Sequence, residues 1–97
     1  MSEADYLIGF FYFRQKWYPG AIDRFQAVLK DDAEYTHRDA VYFHLAESFV
    51  KGKAEARALP YYERLVEEFQ QSEYLKTTKK RITEIKAAMA AKAAASP

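Results

Sequence analysis

Asp5–Leu29 (DYLIGFFYFRQKWYPGAIDRFQAVL) and Tyr42–Val66 (YFHLAESFVKGKAEARALPYYERLV) decide the fold, because the second stretch repeats the first 37 residues later. Ile8-Gly9, Tyr12, Ala21, Phe25 and Val28-Leu29 recur as Leu45-Ala46, Phe49, Ala58, Tyr62 and Leu65-Val66. Each pair keeps its character: aliphatic, small, aromatic, small, aromatic, aliphatic. Self-similarity at a period of roughly 20–50 residues marks a solenoid, whose units bury their apolar faces by stacking. Solenoids serve as scaffolds and binding surfaces, so a binding role is the starting expectation.

The periodicity around the repeat is helical. There is no Asn-Gly or Asp-Gly hairpin turn and no sustained apolar/polar alternation. The pattern predicts helices over about Glu3–Gln15, Tyr18–Asp31, Arg38–Lys51 and Glu55–Phe69, and a fifth from near Glu73 into the alanine-rich tail, which should fray at its end. Pro19-Gly20 falls where a helix tolerates proline, near its start. Lys51-Gly52-Lys53 offers a glycine and cations to end the third helix. Thr36 and Ser72 are the expected N-caps of the third and fifth helices. Pro60 lies inside the fourth, which should bend there or begin later. Gly9 is expected to face Ala21, and Ala46 to face Ala58, where two helices cross closely. The fold class is therefore all-α: a solenoid of two helix-turn-helix repeats, about 2–35 and 38–71, with a capping helix over about 73–94, in one domain.

Composition narrows the function. At 49% hydrophobic and 16% aromatic, the chain has ample material for a core. Charges interrupt every apolar stretch, so no segment approaches the ~20 residues that span a bilayer, and direct membrane insertion is not expected. The acidic start, Met1-Ser2-Glu3-Ala4-Asp5, lacks the order of a secretory signal. Cysteine is absent, which excludes disulfides and thiolate metal sites within these residues. Residues 1–72 carry nine Lys/Arg against twelve Asp/Glu, and residues 73–97 carry six against two. That polarity falls short of the concentrated basic face of a nucleic-acid domain, so no nucleic-acid partner is expected.

The repeated residues resemble the tetratricopeptide pattern of an antiparallel helix pair. Its first helix is represented by Asp5-x-x-Ile8-Gly9-x-x-Tyr12 and Tyr42-x-x-Leu45-Ala46-x-x-Phe49. Its second is represented by Ala21-x-x-x-Phe25-x-x-Val28 and Ala58-x-x-x-Tyr62-x-x-Leu65. The departures are Asp5 for an aromatic, and Ala33 and Gln70 where the family ends a unit with proline. The phrases Ala21–Asp31 and Tyr61–Phe69 are most similar to the C-terminal repeats of BamD-like outer-membrane assembly lipoproteins, and next to YbgF-type periplasmic proteins. That resemblance implies a protein–protein scaffold in a bacterial envelope complex, on the periplasmic side of the outer membrane. The alternative is a soluble or self-associating adaptor, which would be cytoplasmic. Carboxylate-clamp cofactors of the family line their groove with Lys and Asn. This chain has no Asn, and its inner positions are aromatic, so that ligand is disfavoured.

No catalytic, cofactor-binding or metal site emerges. His37, His44 and Glu47 are spaced to share a helix face, but they match no zinc motif, and a hydrogen-bonded histidine is the better reading. The serines lack nucleophile signatures, and no phosphate-cradling loop exists, so an enzyme is not expected. Lys76, Lys79, Lys80 and Arg81 read as the solvated face of a capping helix whose apolar stripe is Leu75, Ile82, Ile85 and Met89. The first helix is apolar nearly all round: Tyr6, Phe10 and Phe13 on one stripe, Ile8 and Tyr12 on another, Leu7 and Phe11 on a third. By position, Tyr6, Phe10, Phe13, Phe43 and Val50 should line the inner surface of the stack, with Arg14, His44, Glu47 and Lys51 at its edges. These aromatics are either packed core or an apolar groove, or uncapped first end, that receives a protein, a peptide or a second copy.

Overall fold

The computed structural model describes residues 2–95, and all five of its elements are helices: α1 (Ser2–Arg14), α2 (Tyr18–Asp31), α3 (Arg38–Lys51), α4 (Glu55–Glu68) and α5 (Leu75–Ala95). Helices α1 and α2 pack as one antiparallel pair and α3 and α4 as another, with α2 against α3 and α4 against α5. Helices α1, α3 and α5 thus form one layer, and α2 and α4 the other. The fold is an all-helical repeat of the tetratricopeptide type.

The 37-residue period holds down to single hydrogen bonds. Helix α1 ends with Lys16 N–H donating to Phe13 C=O and Trp17 N–H to Tyr12 C=O; α3 ends with Lys53 to Val50 and Ala54 to Phe49. This pair of bonds is a Schellman motif, which needs a left-handed residue after the C-cap. Lys16 (φ 63°) and Lys53 (φ 69°) take that conformation. Gly52 therefore does not supply the left-handed turn: its φ is −85°. Its small size matters instead, since a Cβ there would meet Ser48 O at 3.0 Å and the Tyr18 Cβ at 3.7 Å. The links to the next unit also repeat: Asp32 N–H to Val28 C=O and Arg38 to Tyr35 become Phe69 to Leu65 and Leu75 to Ser72.

Residues of the repeat fill the core. Ala21, Phe25, Val28, Leu45, Ala46, Ala58, Tyr62 and Leu65 are fully buried. Gly9 faces Phe25 rather than Ala21: a Cβ on Gly9 would sit 2.8 Å from the Phe25 ring and 3.2 Å from the Arg24 Cβ. The small residue makes room for the aromatic ring four places beyond Ala21, one helical turn further along α2. Helix α4 starts at Glu55 and continues through the exposed Pro60, whose missing N–H costs one bond near the first turns. Thr36 caps nothing; His37 holds the N-cap place of α3 without a side-chain bond. Ser72 does not start α5 directly, because the helix begins at Leu75. Its Oγ accepts from Tyr74 N–H and donates to Asp39 Oδ2 at 2.7 Å, tying the turn to α3.

Helix α5 lies against α4 through Thr78 and Ile85, both buried, with Ile82 partly so, while Met89 is 45% exposed. From Lys86 to Ala95 every side chain of α5 is exposed. Ser96 and Pro97, the end of the tail expected to fray, lie outside the described residues.

Candidate functional site

The layer formed by α1, α3 and α5 carries the aromatic side chains singled out from the sequence, and it gathers them around one residue. His44 is 8% exposed. Its ring centroid lies 4.8 Å from Phe10, 5.5 Å from Phe13, 5.4 Å from Phe43, 5.7 Å from Tyr74, 6.5 Å from Tyr6 and 6.2 Å from Phe25. Tyr74 stacks on Phe43 at 4.7 Å, and Phe10 touches Tyr6 and Phe13 at 6.1 and 6.3 Å. Apart from the buried Phe25, these rings are half-buried, with Tyr6, Phe10, Phe13 and Phe43 packed against the core.

His44 Nδ1 lies 2.8 Å from Ala40 C=O, a contact made by Nδ1–H donating, so Nε2 is the bare nitrogen of the neutral ring. Burial holds its pKa below the ordinary histidine value, and the Ala40 bond and the Glu47 charge only partly oppose this. Neutral His44 behaves as a further ring of the cluster.

Glu47, one turn on, is 6% exposed rather than at an edge. Its carboxylate accepts the Tyr62 hydroxyl of α4 and Arg81 Nε of α5 at 2.9 Å. Burial first, then the bond to Glu47, raises the Tyr62 pKa, and the Glu47 bond raises that of Arg81. One carboxylate therefore joins three helices and fixes α5 beside α3. Arg81 is consequently not part of a free basic face with Lys76, Lys79 and Lys80. The imagined His37–His44–Glu47 constellation is likewise otherwise engaged: His44 in rings, Glu47 in the ion pair. Among the described residues no group of three metal-ligating side chains comes together.

The remaining predicted positions fall as follows. Val50 is half-buried and lines a cleft of about 360 Å³ with Ala56, Ile85, Ala88 and Met89, while Arg14 and Lys51 are exposed at the C-terminal ends of α1 and α3. At the opposite end, Glu3, Asp39 and Glu73 surround Tyr6, His37 and Tyr74 in a cleft of about 540 Å³. Burial and these carboxylates raise the pKa of Tyr6, and that of Tyr74 rises to about 12. The face thus has an acidic end and an aromatic middle, and its other end carries Arg14 and Lys51 beside a cleft of mixed charge, Glu55 and Glu84 with Arg81 and Lys92. Tyr74 escaped the reading of the sequence, although it lies 37 residues after His37, where the period places another first-helix start. Leu7 and Phe11, 56% and 58% exposed, point away from this cluster.

Residues 40–72 match the tetratricopeptide repeat family. Tetratricopeptide repeats are generally non-catalytic and mediate contacts between proteins, and the match covers α3 from Ala40, α4 and the turn to Ser72, the segment that carries Phe43, His44 and Glu47. No curated protein and no solved structure matched the chain. Among the described residues no helix is long and apolar enough to cross a membrane.

Proposed function

We propose that this chain is a non-catalytic scaffold that holds a protein partner on its α1–α3–α5 face. The observation that carries the reading is the strip of partly buried rings, Tyr6, Phe10, Phe13, Phe43 and Tyr74, around a buried neutral histidine. Aromatic rings give large contact area for little conformational entropy, and they dominate interface hot spots. Arg14 and Lys51 at one end and Glu3, Asp39 and Glu73 at the other supply polar rims. A peptide-display selection against the intact protein tests the reading: selected peptides should bind the wild type and lose at least tenfold in affinity to Phe10→Ser/Phe13→Ser. Selected peptides that bind both proteins equally would refute it.

We propose further that the partner belongs to a bacterial envelope assembly complex. The support is the resemblance of Ala21–Asp31 and Tyr61–Phe69 to envelope members of the family. Fractionation of cells producing the native gene distinguishes this from the alternative: periplasmic or outer-membrane recovery is expected, and a cytosolic protein would leave a soluble adaptor.

A further inference from the structure

Helix α1 carries a second apolar face, distinct from the aromatic strip. Ala4, Leu7 and Phe11 are exposed along it. The repeat shows what covers such a face. The positions 37 residues on, Val41, His44 and Ser48, are buried in α3, where His44 lies 6.2 Å from the Phe25 ring of α2 and Gly52 sits against Tyr18. Another 37 residues on, Thr78 and Ile85 are buried in α5 against α4, and Arg81 between them is 34% exposed and paired with Glu47. In both cases the occupant is the second helix of a pair, antiparallel to the helix it meets, with an aromatic at the same register. Those aromatics, Phe25 and Tyr62, are themselves 37 apart. The opposite end of the stack is closed differently. The flank of α5 that corresponds to Gly9 and Tyr12 of α1 carries Thr83 and Lys86, both exposed.

We infer that the Ala4–Leu7–Phe11 face is a docking surface for an amphipathic helix of a partner protein. That helix runs antiparallel to α1 and carries a small residue and an aromatic four positions apart, the stripe of α2 and α4. The surface continues an interface the fold already makes twice. A second copy of this chain does not meet the requirement: its small–aromatic stripes, Ala21/Phe25 and Ala58/Tyr62, are fully buried, and its far flank is polar. One helix face is a small contact, so docking is of the weak, transient class unless the partner adds contacts elsewhere.

The test titrates a helix-stapled peptide of the α2 sequence, residues 18–31, into the intact protein and follows backbone amide shifts by NMR. Shifts are expected at Ala4, Leu7, Phe11 and Gln15, with affinity falling at least tenfold for Phe11→Lys and for a peptide carrying Phe25→Ser. Because Leu7 and Phe11 are more than half exposed, Phe11→Lys should keep its melting point; the peptide variant carries the test should it not. Absence of shifts at millimolar peptide, or shifts confined to Phe10 and Phe43, would overturn the inference. So would a dimer in light scattering that Phe11→Lys dissociates, which would make a second copy the occupant.

Discussion

Breaking the Glu47–Arg81 ion pair from the Arg81 side should destabilise the protein far more than breaking a surface pair. Glu47 has 8% of its side chain exposed, and Arg81 has 34%. An exposed pair contributes ~0.2–1 kcal/mol, whereas stripping one partner from a fully buried pair costs ~3–5 kcal/mol. Arg81 reaches water along its outer side, which places Arg81→Met between these limits, at about 2–3 kcal/mol. For a domain this size that lowers the melting midpoint by roughly 10–20 °C. Glu47→Met leaves the arginine able to turn to solvent but strands the buried Tyr62 hydroxyl, costing ~1–3 kcal/mol. The double variant leaves only that hydroxyl unpaired, so it should cost about as much as Glu47→Met alone and less than the two singles added. Urea denaturation of the four proteins, monitored by circular dichroism, closes the cycle. Additive costs, or an Arg81→Met loss under about 0.5 kcal/mol, would show that the pair is a surface contact and does not hold α5 in place.

Three further outcomes follow from burial and chemistry. The His44 pKa is depressed on folding, so the unfolded chain binds the proton more readily, and the associated stability is present above about pH 6.5 and lost as pH falls below it. Melting at pH 7.5 and 5.5 should therefore differ more for the wild type than for His44→Phe; equal differences would contradict the burial assigned to this ring. Ala58→Leu, at a fully buried crossing, should cost ~1–3 kcal/mol by overpacking, while Ala94→Leu on the exposed end of α5 should be neutral by thermal melting. Thr78 Oγ1 is buried without a hydrogen-bond partner among the described residues, and the equivalent residue of α3 is Val41, so Thr78→Val should stabilise by about 1 kcal/mol in the same melts.

Particular residues show which parts of this structure could be read from the sequence. The repeat made the helix pairs legible because both units bury the same kinds of side chain, and the bounds of α2 and α3 follow directly from that pattern. Turn details were less legible. Lysine occupies a left-handed position at both Lys16 and Lys53, although glycine is the usual signal and Gly52 stands next to the second. Two of the four polar groups expected at the edges of the stack, His44 and Glu47, are buried for a non-local reason. Their neighbours come from elsewhere in the chain: Phe10 and Phe13 of α1 and Tyr74 of the turn before α5 for His44, Tyr62 and Arg81 for Glu47. Periodicity within one helix carries no trace of those encounters. The same limit applies to α1, whose three apolar stripes look alike in sequence; the position of α3 decides that Tyr6, Phe10 and Phe13 are half-covered while Leu7 and Phe11 are not.

The central claim is that the aromatic strip of the α1–α3–α5 layer is the protein-binding surface. The most direct measurement is the NMR footprint on the intact protein of a peptide selected by display for binding it. The account predicts that amide and ring signals of Tyr6, Phe10, Phe13, Phe43, His44 and Tyr74 shift together, while those on the outward faces of α2 and α4, such as Asp23 and Arg64, stay in place. A footprint centred on α2 and α4, with the aromatic strip unmoved, would contradict it.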